Sequence, residues 1–203
     1  MAKDDDWLSP RGTGWRTSSK THVHDNPWFS LDDYVCTAPT GNPARYYLQS
    51  YKNLAVGVVP LHEDGTITLV GQWRFPFDAY SWELPEGGAP KGEDPLDGAK
   101  RELLEEAGLA AAEWRHILTM QLSNSTSDEI AFGYLATGLS VVAEQDPDAT
   151  EQLAVQRVPF REALKAAASG RIQDAITVAM LLRVHHMAHE GELSSGLTRL
   201  VLR

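Results

Sequence analysis

Three glutamates close together in the chain have the type and spacing of a metal site. Glu102, Glu105 and Glu106 stand at positions i, i+3 and i+4, so on a helix all three project from one side. Crowded carboxylates repel one another unless a cation neutralises them. Hard oxygen ligands in this number favour Mg²⁺, with Mn²⁺ as the alternative. The spacing therefore predicts a divalent cation site on one side of a helix.

The flanking residues predict where that helix begins and ends. Asp94 suits the N-cap position, Pro95 suits the first helical position, and Gly108 suits the C-terminal stop. The apolar positions between them recur at helical spacing, which predicts a buried stripe of Leu96, Ala99, Leu103 and Ala107. The three carboxylates flank this stripe, so we expect them at the rim of the core.

The pattern extends upstream of the helix and has a known form. It fits G-x5-E-x7-R-E-U-x-E-E-x-G-U, with U aliphatic, at Gly87, Glu93, Arg101, Glu102, Leu103, Glu105, Glu106, Gly108 and Leu109. A Glu-rich run alone is usually a solvated helix face, but the spaced glycines and the upstream glutamate distinguish this segment from that alternative. The segment is a Nudix box, and on it the chain resembles the Nudix hydrolase family.

This resemblance implies a fold and a metal site. The implied fold is α/β (α+β), an α/β/α sandwich with a mixed β-sheet and an N-terminal β extension. Glu102 and Glu106 are the implied metal ligands, Glu105 supports the same cluster, and the backbone carbonyl of Glu86 is a further ligand. The implied chemistry is polarisation of a diphosphate and activation of the attacking water by Mg²⁺.

The remaining box residues are implied to hold the geometry of the site. Arg101 can reach Glu105 one helical turn on, or fold back toward Glu93 and lock the Gly-rich loop to the helix. Gly87 and Gly108 are structural positions of the box.

Segments outside the box resemble the ADP-ribose pyrophosphatase branch of the family. These are residues 25–29, 70–76, 82–85 and 170–175, so that the resemblance covers about residues 25–185. It implies hydrolysis of ADP-ribose or a related nucleoside diphosphate sugar to a nucleoside monophosphate and a sugar phosphate. Members of this branch are usually homodimers, so we expect a homodimer whose N-terminal strands help to build the partner's nucleotide site.

Two departures from the branch leave the substrate open. Asn124 stands where the branch has a proline associated with ADP-ribose preference, and Glu86 replaces a small residue. GDP-mannose or a dinucleotide is therefore the alternative substrate. A Nudix-fold regulator that binds a nucleotide without hydrolysis is a third hypothesis, against which the complete acidic cluster argues.

The base that assists the water has two candidates beyond the box. Glu151 aligns with the loop glutamate that completes the metal site in the branch, and Glu129 follows a Ser-Asp pair at the start of a strand. The alternative for both is an exposed loop acid. A loop position would let either residue close over bound substrate.

Four further residues are predicted to bind substrate. Arg74 can pair with a phosphate, because guanidinium groups match phosphate oxygens. Trp28 and Trp73 can stack on a nucleobase, although aromatic residues on strands more often lie in the core. Glu83 belongs to the branch-like segment 82–85.

Apolar periodicity and turn residues predict the organisation of the chain. We expect a flexible N-terminal tail at 1–25, an N-terminal β region at 26–50 that lies at a dimer interface, a Nudix domain at 51–190 and a C-terminal tail at 191–203. Strands are predicted at 28–30, 34–37, 44–50, 54–61, 66–73, 80–84, 113–122, 130–139 and 152–158. Helices are predicted at 95–107, 160–169 and 174–189, and the segment 86–93 is predicted to be a Gly-rich loop.

Composition narrows the class of protein. The formal net charge is −10 over 203 residues, which disfavours nonspecific binding to nucleic acid. The single cysteine, Cys36, excludes an intramolecular disulfide and a zinc site built from thiolates. The sequence has no apolar run of transmembrane length and no secretory signal, so we expect a cytoplasmic protein with a small nucleotide substrate and no membrane partner.

Overall fold

The computed structural model describes residues 6–142 and 152–202. These residues form two compact units. The first contains the described residues up to Lys52 together with Ser123–Asp128, and the second contains the described residues of the ranges 53–122 and 129–203.

The first unit is a three-stranded antiparallel sheet in the order β1-β2-β3. Its strands are β1 (Arg16–Asp25), β2 (Phe29–Thr37) and β3 (Pro43–Tyr51), and a short 3-10 helix covers Asp6–Leu8. The side-chain oxygen of Asn26 accepts hydrogen bonds from the backbone N–H groups of Trp28 and Phe29, which closes the turn between β1 and β2. The two strands predicted at 28–30 and 34–37 correspond to the single strand β2, which begins one residue later, at Phe29.

Residues 16–25, which lie in the segment expected to be a flexible N-terminal tail, form β1. Every side chain of β1 is exposed, so the strand carries no alternation of apolar and polar residues that a sequence pattern could detect. It is held by its backbone pairing with β2 and by Asp32, which lies 2.7 Å from the Lys20 ammonium and 3.0 Å from the His22 ring.

The second unit is built on a mixed four-stranded sheet in the order β7-β4-β9-β8. Strand β4 lies parallel to β9, whereas the β4–β7 and β8–β9 pairs are antiparallel. The strand bounds are β4 (Asn53–Pro60), β7 (Glu86–Pro90), β8 (Leu109–Leu122) and β9 (Glu129–Val141). A separate antiparallel sheet in the order β10-β5-β6 contains β5 (Thr66–Arg74), β6 (Ala79–Glu83) and β10 (Ala154–Pro159).

Helices cover both faces of the mixed sheet. The helices are α1 (Pro95–Ala107), α2 (Phe160–Ala168), α3 (Ala175–His189) and α4 (Ser195–Leu202). Because side chains of a strand alternate between faces, β4 contributes Val56 and Val58 to the core under α1 and Val59 to the core under α2 and α3. This confirms the predicted sandwich with a mixed sheet.

Two segments differ from their predicted structure. Residues 195–202, predicted as part of a tail, form α4, which begins after Ser194 and buries Val201 in the core. Residues 86–90, predicted as loop, form β7. The glycines lower the strand propensity of the segment, so its sequence indicates a loop. The strand forms because its backbone pairs with β4. Within the described ranges, the helices are too short or too polar to span a membrane.

The core under α1 gives a direct test of the fold. Leu103 is fully buried, whereas its neighbour Leu104 is 40% exposed. We expect Leu103→Ala to lower the free energy of unfolding by about 2–5 kcal/mol, because the truncation leaves a cavity against the sheet. Leu104→Ala is the matched control and should change it by about 0.5 kcal/mol. Urea unfolding measures both, and equal losses in the two variants would contradict the orientation of α1.

Candidate active site

Helix α1 begins and ends at the predicted residues. The Asp94 carboxylate accepts a hydrogen bond from the backbone N–H of Leu96 at 3.0 Å, and Pro95 opens the helix. Gly108 has a φ of 64°, a left-handed conformation that glycine adopts without strain, and its N–H donates to the Leu104 carbonyl at 2.8 Å. These two ends determine the direction in which the glutamates of the helix project.

The three glutamates of α1 differ strongly in burial. Glu106 is buried, the Glu102 side chain is 13% exposed, and the Glu105 side chain is 42% exposed. The cluster therefore runs from the core to the surface, as expected for carboxylates at the rim of an apolar stripe. A charged carboxylate buried in this way needs hydrogen bonds or a cation to offset its desolvation.

Gly87 leaves the space that the Glu102 carboxylate occupies. A Cβ atom at Gly87 would lie 2.2 Å from Cδ of Glu102, which is far closer than atoms can approach. The glycine of the box is therefore a requirement of packing: only a residue without a side chain lets the Glu102 carboxylate lie against β7.

Glu106 ties α1 to the same strand. Its Oε2 atom accepts a hydrogen bond from the backbone N–H of Glu86 at 2.9 Å. The peptide of Glu86 thus lies beside one carboxylate of the helix, and the next residue, Gly87, lies beside another. The first residues of β7 and one side of α1 together form a single polar cluster.

Arg101 joins the strand and the helix from the other side. Its guanidinium donates to the Gly88 carbonyl at 2.7 Å and to the Glu102 carboxylate at 2.8 Å. The same group lies 3.5 Å from the Glu105 carboxylate and 3.9 Å from that of Glu93. Both contacts predicted for Arg101 are present, so it positions the carboxylates and also holds the end of β7.

Arg74, predicted to pair with a phosphate, contacts two carboxylates. It donates from Nε to Glu83 at 3.0 Å and also pairs with Glu83 through Nη2. The Nη2 atom is 3.3 Å from Oε1 of Glu86. The structure thus makes Arg74 the partner of two carboxylates, and Glu83, predicted to bind substrate, is buried beneath it.

The Glu86 carboxyl has a raised pKa. Burial of the side chain, followed by the negative charges of Asp174 and Glu83, raises the pKa of Glu86 well above its ordinary value of 4.5, and Arg74 opposes the shift. Its Oε2 atom is buried without a hydrogen-bond partner. This chain has a glutamate at position 86 where the branch has a small residue, so it carries an additional acid beside Glu83 and Asp174.

Sequence reasoning missed Asp174. One carboxylate oxygen from each of Glu83, Glu86 and Asp174 lies within 4.8 Å of the other two. Asp174 was recognised only as the start of a helix, and it does cap α3 by accepting from the Thr177 N–H at 2.6 Å. Because Asp174 lies 88 residues beyond Glu86 in the chain, no local spacing indicated the cluster.

The other predicted site residues are described by their own surroundings, except one that lies outside the described ranges. Trp73 is 61% exposed, and its indole donates to Asp78 at 3.1 Å. Trp28 is 69% exposed and belongs to the first unit. Glu129 begins β9 opposite Leu122 and is half-buried. Glu151 lies outside the described residues.

The donor set fits a hard divalent cation. Glu102 and Glu106 supply carboxylate oxygens from one side of α1, and both are packed against the start of β7. Carboxylate and backbone carbonyl oxygens are the protein ligands that Mg²⁺ and Mn²⁺ prefer.

Comparison with known proteins agrees with the Nudix fold and with the Nudix box found in the sequence. The NUDIX domain family matches residues 51–178. An ADP-ribose pyrophosphatase of Mycobacterium tuberculosis (strain ATCC 25618 / H37Rv) is 35% identical over 174 residues, which cover 84% of this chain and 83% of the relative. An ADP-ribose pyrophosphatase of Bacillus subtilis (strain 168) is 37% identical over 150 residues, which cover 72% of this chain and 80% of the relative.

A solved structure described as an ADP compounds hydrolase shares the fold. It aligns with a TM-score of 0.79 at 19% identity and covers 91% of this chain and 100% of that one. The sandwich and its carboxylate helix define a Nudix-type domain. This chain belongs to the NUDIX family.

The contact between Gly87 and Glu102 predicts a large effect from one methyl group. We expect Gly87→Ala to weaken Mn²⁺ binding by about tenfold or more, because the Glu102 carboxylate must move out of its place. Gly88→Ala is the matched control, since its Cβ would meet only the end of the Asn53 side chain, at 2.9 Å. Electron paramagnetic resonance of free Mn²⁺ measures both affinities. Equal affinities in Gly87→Ala and the wild type would refute the packing argument.

The Glu86 carboxyl predicts a pH dependence of stability in the absence of divalent cations. Because its folded pKa is raised, the folded chain binds the proton more tightly than the unfolded chain. The free energy of unfolding therefore falls as pH rises above 4.5 through the folded pKa. In EDTA, Glu86→Gln should gain stability over the wild type as the pH is raised through this window. Glu63→Gln, on an exposed turn, should show no such gain, and a pH-independent effect of Glu86→Gln would contradict the assignment.

Proposed function

We propose that the chain hydrolyses a nucleoside diphosphate linked to another group, with ADP-ribose or a related nucleoside diphosphate sugar as substrate. The products are a nucleoside monophosphate and a sugar phosphate. The observation that carries the proposal is the convergence of Glu102 and Glu106 on the first two residues of β7. Two carboxylates of one helix that both lie against the start of β7 support a metal-assisted hydrolysis.

The relatives support the substrate class. Two proteins at 35% and 37% identity, each matched over most of its length, are named ADP-ribose pyrophosphatases. The departures at Asn124 and Glu86 keep GDP-mannose or a dinucleotide as the alternative substrate. A regulator that binds without hydrolysis remains the third hypothesis.

Mg²⁺ is the proposed cofactor, with Mn²⁺ as the alternative. Glu102, Glu106 and the backbone carbonyl of Glu86 would hold it, and Glu105 would support the cluster. When bound, the ion supplies Lewis-acid polarisation of the diphosphate and a water of lowered pKa. Arg101 holds the Glu102 and Glu105 carboxylates next to β7, because it contacts both of them and also the Gly88 carbonyl. It is therefore a positioning residue.

Arg74 has a proposed role at the substrate. Its side chain remains 35% exposed while it pairs with Glu83 and Glu86. An approaching phosphate would bind the guanidinium group alongside these carboxylates. The buried Glu83 would hold the plane of the guanidinium in a defined orientation. Trp73 offers an exposed aromatic face on which a nucleobase can stack, and Trp28, in the first unit, is proposed separately for the same kind of contact.

The base that assists the water is proposed to be Glu151 or Glu129. Replacing the residue that acts as the base with glutamine should lower kcat far more than it changes KM, because a general base acts in the transition state, whereas the same change at the other residue should leave kcat nearly unchanged. A homodimer and a cytoplasmic location are also proposed, and sedimentation of the purified protein tests the dimer.

Product analysis tests the proposed reaction. The purified chain is incubated with Mg²⁺ and ADP-ribose, GDP-mannose or a dinucleotide, and the products are separated by chromatography. We expect AMP and ribose phosphate from ADP-ribose. Glu106→Gln should lower the rate by about a hundredfold or more, because it removes a buried ligand from the cluster.

Glu63→Gln is the matched control, since it makes the same change at an exposed position of the same unit and should retain the wild-type rate. Turnover of GDP-mannose alone would keep the chemistry and replace the substrate. Intact diphosphates in every incubation, with Mg²⁺ and with Mn²⁺, would overturn the enzyme hypothesis and favour a binding protein.

A further inference from the structure

A second group of carboxylates lies next to the Nudix box. It comprises Glu83 at the end of β6, Glu86 at the start of β7 and Asp174 at the N-cap of α3. Each offers an oxygen, and the three oxygens lie within 4.8 Å of one another. Around Mg²⁺, with oxygens at about 2.1 Å, neighbouring ligands are about 3.0 Å apart and opposite ligands about 4.2 Å apart. At most one pair of the three oxygens can be opposite ligands, so the other pairs would have to close to about 3.0 Å for all three to bind one octahedral ion.

Glu86 supplies an independent indication that something belongs in this cluster. Its side chain is 11% exposed, and its Oε2 atom is buried without a hydrogen-bond partner. Its other oxygen, Oε1, lies 3.3 Å from the Arg74 guanidinium. Buried polar atoms almost always have a partner, and a bound ion is one of the few explanations for an exception. A cation among the three carboxylates would satisfy this oxygen.

The charges of the cluster match a divalent ion. Three ionised carboxylates carry three negative charges, and Arg74, paired with Glu83 and Glu86, offsets one of them. Two negative charges remain, which one divalent cation neutralises. The hard oxygen donors favour Mg²⁺ or Mn²⁺ over softer metals.

The elements that carry the cluster are tied together. The Thr177 hydroxyl of α3 accepts a hydrogen bond from the Leu84 N–H at 2.9 Å, so the start of α3 is anchored between β6 and β7. Asp174 caps the helix through one hydrogen bond to the Thr177 N–H, and an ionised carboxylate has about four acceptor positions. Asp174 can therefore cap α3 and bind a cation at the same time.

We propose that Glu83, Glu86 and Asp174 form a divalent cation site distinct from that of the Nudix box. Glu86 lies between the two sites: its backbone N–H contacts Glu106 of the box, whereas its side chain joins Glu83 and Asp174. A cation in this site would hold the start of β7 from the side opposite α1. It would also share Glu83 and Glu86 with Arg74, so loading of the site would leave that guanidinium more available to a phosphate.

Mn²⁺ binding in a variant without the box ligands tests this proposal. Glu102→Gln/Glu106→Gln removes the two carboxylates of the box, and electron paramagnetic resonance counts the Mn²⁺ that remains bound. We expect about one Mn²⁺ per chain to remain. Adding Glu86→Gln or Asp174→Asn should weaken that binding by about tenfold or more, because each removes a charged ligand.

The variants are chosen to keep the fold. Asparagine caps helices as well as aspartate does, so Asp174→Asn retains the start of α3. Asp94→Asn makes the same change at the N-cap of α1 and should leave the remaining Mn²⁺ bound. Thermal unfolding checks that every variant is folded. As a second measurement, Glu86→Gln with the box intact should bind about one Mn²⁺ fewer than the wild type.

Two results would overturn the proposal. One is a folded box variant that binds no Mn²⁺, or whose binding is unchanged by Glu86→Gln and by Asp174→Asn. The other is an equal Mn²⁺ stoichiometry in the wild type and Glu86→Gln. Neither result bears on hydrolysis at the box, which product analysis tests separately.

Discussion

The contact between α1 and β7 is the constraint on which the candidate site depends. The Glu102 carboxylate occupies the volume that any side chain at position 87 would fill. One residue earlier, the backbone N–H of Glu86 is bound by Glu106. The strand must therefore present bare backbone to the helix over these residues, and this requirement explains a glycine where strand propensity alone would favour another residue. Arg101 completes the contact by binding the Gly88 carbonyl.

Acidic residues are concentrated around this contact, and each of two arginines pairs with a different set of them. Arg101 lies near the carboxylates of Glu93, Glu102 and Glu105 on the side of α1. Arg74 lies near Glu83 and Glu86 on the side of β6 and α3. Neither arginine neutralises all the carboxylates near it. The remaining negative charge supports the two cation sites proposed on either side of Glu86, because a buried carboxylate needs a partner to offset its desolvation.

Local patterns were sufficient to predict much of this architecture. The ends of α1 follow from Asp94, Pro95 and Gly108, because capping is decided within a few residues. The carboxylate side of α1 follows from helical periodicity in the same way. The strand β1 and the helix α4 were not predicted: the exposed side chains of β1 carry no periodic signal, and α4 is stabilised by burying Val201 against distant elements.

The limits of sequence reasoning were similar at the site. The phosphate-binding role predicted for Arg74 rested on its residue type, whereas the structure pairs it with two carboxylates brought together by the hairpin of β5 and β6 and by β7. Asp174 joins Glu86 only because α3 begins beside the end of β6. Contacts of this kind depend on the tertiary fold, and a motif confined to one segment does not contain them.

The source of the oxygen atom gained on hydrolysis tests the central claim most directly. Reaction of ADP-ribose in H₂¹⁸O with Mg²⁺, followed by mass spectrometry, measures where the attacking water enters. A carboxylate site that activates water at a diphosphate predicts one ¹⁸O atom in the phosphate of AMP or of ribose phosphate. It also predicts that Glu106→Gln forms labelled product about a hundredfold or more slowly, and that none forms in EDTA. Labelled product that forms equally well in Glu106→Gln, or cleavage without incorporation of ¹⁸O into either phosphate, would contradict the account.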